Sequence, residues 1–256
     1  MKPGIINWLK LKISIWRKDA SRKGNIRVFQ DNLHEYVNKR KFGRMGVSFT
    51  EDPEVQSNTL NNAEFKDVHA NQPSSFYMLK KAFSHINIKP ENISLLDIGC
   101  GSGRVLSYAM LLNFKKVFGI DLDESGIEKA VSNCTQMQKN GYTTIFNIQN
   151  ADATRYDIPE GINVIYMFNP FGEQTMKTVL ENIIAYCKHL NKSVYLVYCN
   201  PVYINLFEEK KECEKLYECF FRNKNREMVI YNIKPHSLKL NRHCVRISDF
   251  SNIPHH

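Results

Sequence analysis

The chain predicts an α/β protein, a mostly parallel sheet covered by helices on both faces and closed by an antiparallel C-terminal hairpin. Three observations carry this reading. Between residues 93 and 198, apolar runs of strand length alternate with longer runs of helical periodicity, which means βαβ units. A glycine-rich turn joins the first of these strands to the helix after it. Near the C-terminal end, the β-rich runs 216–221 and 227–233 are linked only by Arg222-Asn223-Lys224-Asn225. A link that short forces antiparallel pairing, because a parallel crossover takes about a dozen residues or more.

In chain order, residues 5–16 place Ile5, Ile6, Leu9, Ile13 and Trp16 at helical spacing. Trp8, Leu11 and Ile15 broaden the stripe, and Lys10, Lys12, Arg17 and Lys18 surround it. This is a basic amphipathic helix of the kind that lies in the headgroup region of an anionic membrane; packing on its own domain or in a dimer is the other use of such a stripe. Residues 20–65 are polar, punctuated by Gly24, Gly43, Gly46 and Pro53, and carry the basic run Lys39-Arg40-Lys41. They predict an irregular arm or lid. Ser74 or Ser75 caps a predicted helix through Phe83, whose face is Phe76, Leu79, Ala82 and Phe83.

The sheet follows. Strands are predicted at 93–98, 116–120, 143–148, 164–168 and 194–198, with helices at 102–112, 124–139 and 173–189 between them. With the two hairpin strands the count is seven.

The charge is unevenly placed. Net charge is +9, yet residues 1–48 hold 12 basic and 3 acidic side chains while 49–256 hold 23 of each, so the whole excess lies in the first 48. Hydrophobic residues at 43% and charged residues at 24% describe an ordinary folded chain and exclude disorder, collagen-like repeats and coiled coil. Seven cysteines without a C-x-x-C pair, several within apolar runs, predict a reducing compartment. Lysines interrupt the apolar N-terminal run and no small-residue cleavage site follows it. No stretch approaches the roughly 18 apolar residues of a membrane span. The expectation is a cytoplasmic protein, peripheral on the inner membrane face through residues 1–20. His34, His69, His85, His189, His236 and His243 have no metal-ligand spacing, and His255-His256 ends the chain. His69 alone stands out as a candidate base, just upstream of the first predicted helix of the domain.

The sharpest local signal is Asp97-Ile98-Gly99-Cys100-Gly101-Ser102-Gly103, where a buried strand ends in glycines that open a helix. Backbone there can approach a ligand closely, and the helix N-terminus offers unpaired N–H groups. A dinucleotide fingerprint needs glycine at 104, which is Arg104, and no Gly-Lys-Ser/Thr follows to make a phosphate loop.

Asp97-x-Gly99-x-Gly101-x-Gly103 resembles the first motif of class I S-adenosylmethionine-dependent methyltransferases, and the resemblance extends over residues 70–235. It implies a Rossmann-like fold and S-adenosylmethionine as cofactor. It further implies that Asp97 lies near the methionine moiety and that Gly99, Cys100, Gly101 and Gly103 form the cofactor loop, Gly103 with a role in helix packing. Asp121, at the end of the second strand, corresponds to the carboxylate that accepts both ribose hydroxyls, with Leu122 beside it; an ionised acceptor with two oxygens suits a vicinal diol. Asp152, with Ala153, corresponds to the adenine edge.

Phe168-Asn169-Pro170-Phe171 resembles the Asn-Pro-Pro-aromatic motif of amino-methylating enzymes, with Phe171 in place of the second proline. The resemblance makes Asn169 the catalytic candidate, its carboxamide oxygen aligning a target nitrogen, and also counts it among the residues that border the cofactor. Turn chemistry at a strand end is the other reading of Asn-Pro. A second Asn-Pro, Asn200-Pro201, follows the fifth strand. Together these turns resemble a bacterial methyltransferase group loosely likened to histone-lysine methyltransferases of the Dot1 type. Arg44-Met45-Gly46-Val47 and Gln72-Pro73-Ser74 resemble that group's upstream segment, which implies a cover over the cofactor.

The chain thus divides into a basic helix (1–22), an arm or lid (23–69), a cofactor-binding methyltransferase domain (70–235) and a C-terminal extension (236–256). The expected acceptor is an oxygen or nitrogen of a small molecule or glycan, including a lipid-linked saccharide. A protein lysine, RNA bound through Lys39-Arg40-Lys41, and a non-enzymatic binding module are the alternatives.

Overall fold

The computed structural model describes residues 3–49 and 73–235, with side chains from residue 13 onward. Expectations for the side chains of residues 5–12, for His69 and Gln72, and for Cys244 and the histidines of 236–256 lie outside the described residues. The chain opens with two helices, α1 (Pro3–Lys23) and α2 (Asn25–Arg44). A third, α3 (Phe76–Ser84), begins where Ser75 accepts a hydrogen bond from Met78 N at 3.2 Å, the N-cap the sequence predicts.

The sheet then alternates β1 (Ser94–Ile98), α4 (Arg104–Leu111), β2 (Lys116–Asp121), α5 (Glu124–Lys139), β3 (Ile145–Asn150), β4 (Val164–Phe168), α6 (Glu173–Leu190) and β5 (Val194–Cys199). A short helix α7 (Asn205–Glu208) leads into β6 (Cys213–Phe220) and β7 (Arg226–Ile233). Strand order is β3-β2-β1-β4-β5-β7-β6. The contacts among β1 to β5 are parallel, and β7 runs antiparallel to both β5 and β6. The Rossmann-like expectation of a mostly parallel seven-stranded sheet with an antiparallel hairpin holds in the strands and in their direction.

Alternation along each strand sends side chains to two cores. Leu95, Val117, Val164, Tyr166 and Val197 face α3, α4 and α5. Leu96, Ile98, Ile120, Met167 and Tyr198 face α6 and α7. β3 is the half-buried edge, with Ile145 exposed.

The arm corrects one expectation. Residues 25–44 form a regular helix where polar composition and Gly24 predict irregular chain. Its buried face carries Asp31 and Asn38 between Val28 and Phe42, so the core-facing side lacks the usual apolar stripe. Ion pairs and hydrogen bonds replace that stripe. Arg27 bridges both carboxylate oxygens of Glu227 in β7 and lies over the Tyr77 ring at 4.1 Å. Asp31 accepts from Lys23 Nζ at 2.8 Å, Arg27 Nε at 3.1 Å and Ser75 Oγ at 2.9 Å. Gly24, at φ 89°, turns the chain between α1 and α2 in a conformation that favours glycine. On α1, Ile13, Ile15 and Trp16 are exposed. No helix among the described residues is long and apolar enough to cross a membrane.

Candidate functional site

Parallel register brings the candidate residues to one edge of the sheet. Ile98 pairs with Ile120 and Met167, Ile120 with Gln149, and Met167 with Tyr198. One residue further along each strand lie Asn150, Asp121, Gly99, Phe168 and Cys199, the carboxyl ends of five adjacent strands. In an open α/β sheet that row is where ligands bind.

The glycine turn is built by backbone bonds to β2. Gly99 N and Cys100 N both donate to Ile120 O, at 2.9 and 3.0 Å, and Gly103 N donates to Cys100 O at 2.9 Å. Gly99, Gly101 and Gly103 have φ of 80°, 47° and 75°, the left-handed region. Two of the three are also pressed against neighbours. A Cβ on Gly99 would stand 3.0 Å from Pro170 Cβ, which brings the 168–171 turn against the loop. On Gly103 it would stand 2.9 Å from Ala130 Cβ in α5, so Gly103 serves helix packing. Cys100 is buried, its sulfur packed over Gly119, and burial pushes its thiol well up.

Asp121 leans across this loop. Its Oδ2 accepts from Gly101 N at 2.7 Å and its Oδ1 from Asp123 N at 3.0 Å. Each oxygen keeps a further lone pair, which is what a vicinal diol needs. Burial raises its pKa, opposed by those backbone donors. Leu122 O accepts from Asn150 Nδ2 at 2.9 Å, and Ala151 N donates to Asp121 O at 3.0 Å, fixing the end of β2 to that of β3. Asp97 is only 2% exposed, and its Oδ2 is buried without a hydrogen-bond partner. Burial, then the neighbouring Asp121, drives its pKa well above the usual carboxylate range.

Asp152 is exposed, and its Oδ1 accepts from Thr154 N and Thr154 Oγ1, both at 2.8 Å. The structure therefore shows an Asx-type turn at Asp152, with Oδ2 left to any ligand. A cleft of about 480 Å³ opens beside it, lined by Gln149, Ala151, Asp152, Arg155, Tyr156 and their neighbours. Ala153 packs into the core beneath.

On the other side of Gly99, Phe168 pairs with Cys199, so Asn169 and Asn200 leave the sheet next to each other. Both are left-handed, at φ 37° and 48°. Asn169 is buried, and Tyr198 Oη donates to its Oδ1 at 3.0 Å. Tyr203 N in turn donates to Tyr198 Oη at 3.3 Å. The backbone donor occupies the phenol as acceptor, so the phenol proton goes to Asn169, and the carboxamide orientation follows from the network.

Sequence reasoning missed several residues that frame this edge. Arg104 Nη1 meets both oxygens of Glu35 in α2 at 2.9 and 3.0 Å. Its guanidinium lies over the Phe49 and Phe76 rings at 5.3 and 4.7 Å. Asn133 Nδ2 donates to Ser102 O and Ser48 O, each at 2.9 Å, and Tyr166 Oη lies 2.6 Å from Oγ of the expected Ser74. The signal for Arg104 was its place in the motif, a long cation where a third spaced glycine was sought. Of the expected cover, Ser74 reaches the loop helix through its carbonyl, 3.5 Å from Arg104 Nη1. Gly46 lies instead against Gln136 of α5, and Met45 O accepts from Asn140 Nδ2 at the C-cap of that helix at 3.0 Å.

The residues fit S-adenosylmethionine on three counts: a buried, unpartnered carboxylate at Asp97 for a cationic amino-acid end, a close-approach glycine loop, and a two-oxygen acceptor at Asp121 for the ribose. The family model described as a methyltransferase domain matches residues 95–193. Over that stretch the chain resembles a methyltransferase domain, and the residues at the strand ends fit S-adenosylmethionine as its cofactor. Solved structures similar to it include a SAM-dependent methyltransferase from Aquifex aeolicus, at 16% identity and TM-score 0.46, covering 72% of this chain and 100% of that one. An RNA methyltransferase from Salinibacter ruber in complex with S-adenosyl-L-homocysteine matches at 12% identity and TM-score 0.43, over 64% and 95% of the two chains. A ribosomal protein L11 methylase from Lactobacillus delbrueckii subsp. bulgaricus matches at 16% and 0.44, over 61% and 77%. At this level of likeness they bear on no substrate.

Proposed function

We infer that this enzyme methylates an oxygen or nitrogen of a small molecule or glycan, with Asn169 at the acceptor side. The observation that carries the reading is the composition of the two turns beside Gly99. Phe168-Asn169-Pro170-Phe171-Gly172 and Cys199-Asn200-Pro201-Val202-Tyr203 present amides, prolines and aromatic rings and no Lys or Arg. A nucleic-acid acceptor calls for cations that neutralise phosphates close to the reacting base. The net positive charge of this chain lies instead in the first 48 residues, the later cations being balanced by as many acidic residues.

When bound, S-adenosylmethionine supplies a methyl group already activated on a sulfonium, so the protein chiefly aligns donor with acceptor and excludes water. In this reading Asp121 holds the ribose, Leu122 and Asp152 with Ala153 border the adenine, and Asp97 with the 99–103 loop holds the amino-acid end. Tyr198 fixes Asn169. The second Oδ1 lone pair of that carboxamide accepts from an amine, and Nδ2 donates to an oxygen acceptor.

The test incubates the enzyme and methyl-labelled S-adenosylmethionine with separated small-molecule, glycolipid, RNA and protein fractions of cells of its source organism. Label is expected in the small-molecule or glycolipid fraction, and Asn169→Ala should abolish it while S-adenosylhomocysteine still binds. Label in RNA or protein alone overturns the acceptor reading.

A further inference from the structure

We propose that the outward face of α2 is a docking surface for an anionic lipid bilayer, whatever the methyl acceptor. α2 is amphipathic in the reverse sense. Its inward face holds Asp31, Glu35 and Asn38, tied to Arg27, Ser75, Arg104 and the backbone of His34. Its outward face holds Ile26, Phe29, Leu33, Tyr36 and Val37, spaced three, four, three and one residue apart, one continuous helical stripe. These side chains are exposed, Ile26 at 77%, Phe29 at 66% and Tyr36 at 63%. Five large apolar residues contiguous on one helix face form a patch that a soluble surface rarely carries without a partner.

Charge selects the occupant. The stripe is continued at its C-terminal end by Arg40 and Arg44, three and seven residues beyond Val37, with Lys41 on its flank. All three cations are exposed, and among the described residues none makes an ion pair. No acidic residue lies on the outward side; Glu35 lies toward the body, bonded to Arg104. An apolar stripe ending in unpaired cations matches acyl chains beneath anionic headgroups, with the helix lying in the plane of the interface. The same stripe of a second copy offers no carboxylate to Arg40 and Arg44. Paired parallel, the arginines of two stripes would meet, and paired antiparallel each would be pressed onto the other's Ile26 and Phe29. RNA matches the arginines but gives Ile26, Leu33 and Val37 nothing to bury against.

The experiment is flotation of the full chain with vesicles of phosphatidylcholine alone or with 30% phosphatidylglycerol. Wild type is expected to float with the anionic vesicles and not with the neutral ones. Phe29→Ser/Leu33→Ser should weaken that affinity more than tenfold with α1 unaltered, while the heat of S-adenosylhomocysteine binding is unchanged. Arg40→Gln/Arg44→Gln should weaken it about 30-fold at low salt, at about 1 kcal/mol per basic residue, and decides the matter should the first variant lose its fold. Failure of wild type to float, or equal flotation of wild type and the arginine variant, overturns the proposal. So does a dimer in light scattering that Phe29→Ser/Leu33→Ser dissolves without vesicle binding, or retention of RNA in its place.

Discussion

Arg104 Nη1 stands 2.9 Å from Glu35 Oε1 and 3.0 Å from Oε2, and this contact joins the N-terminal helix pair to the first residue of the helix after the glycine loop. Arg104 is nearly buried, and its Nε has no hydrogen-bond partner, so Glu35 is the counter-charge that makes its burial tolerable. Asn133 adds a second tie, joining Ser48 to the Ser102 carbonyl. Glu35 of α2 and Ser48 are thereby tied to the glycine loop and the helix that follows it.

Glu35→Gln leaves Arg104 without its neutralising partner. Stability should fall by about 1–3 kcal/mol, the cost of a buried charged group left under-satisfied. For a chain of this size each kcal/mol lowers the Tm by about 2–4 °C, which thermal unfolding would read directly. A change within 0.5 kcal/mol, as at a solvated surface pair, would mean that the arm is not braced through this contact.

Gly103 and Gly141 are both left-handed, at φ 75° and 91°, but only Gly103 is crowded. Its added Cβ meets Ala130 Cβ at 2.9 Å and Ala130 Cα at 3.0 Å, whereas nothing stands within 4 Å of Gly141. Gly141→Ala should cost about 1–2 kcal/mol from backbone conformation alone. Gly103→Ala should cost that and more, since α4 and α5 must separate. Urea unfolding of the two variants side by side checks the difference.

Much of this was legible in sequence. The strands of the sheet are apolar runs of the right length, and the short link at 222–225 dictated the antiparallel closure. Asp97, Gly99, Asp121 and Asn169 lie at strand ends, so a correct strand reading carries them to one edge. What stayed hidden depends on long-range partners. Polar composition and glycine punctuation predict irregular chain at α2, and Asp31 or Glu35 looks like a solvated residue until Arg27, Ser75 and Arg104 come to meet it. Its apolar spacing at Ile26, Phe29, Leu33 and Val37 was there to be found, pointing outward instead of inward. Likewise, nothing in the local sequence shows that Tyr198 reaches Asn169 across 29 positions.

Tyr198→Phe removes the donor to Asn169 Oδ1 and frees the carboxamide to rotate. Loss of one buried hydrogen bond, roughly 1–1.5 kcal/mol, should lower kcat about tenfold. Cofactor affinity should not change, because Tyr198 holds Asn169 and not the nucleoside. Steady-state kinetics with titration of S-adenosylhomocysteine separates the two effects.

Burial and the neighbouring Asp121 raise the Asp97 pKa, so the folded protein holds a proton that the unfolded chain loses near 3.8. The stability this group contributes is present below that value and is lost as pH rises through the raised one. An ammonium placed beside Asp97 favours the carboxylate. Binding of S-adenosylhomocysteine should therefore release a proton and tighten as pH rises toward the raised value. Calorimetry in two buffers of different ionisation enthalpy counts that proton. Asp97→Asn should abolish the release and raise the stability of the free protein at neutral pH.

The central claim is that the carboxylate of Asp121 grips the cofactor's ribose while Gly101 N–H holds that carboxylate across the loop. Calorimetric titration of S-adenosylhomocysteine into wild type and Asp121→Asn tests it most directly. Loss of a charge-assisted bond, about 1.5–3 kcal/mol, predicts affinity weaker by roughly 10- to 150-fold in the variant. No heat with wild type, or equal affinity in both proteins, would contradict it.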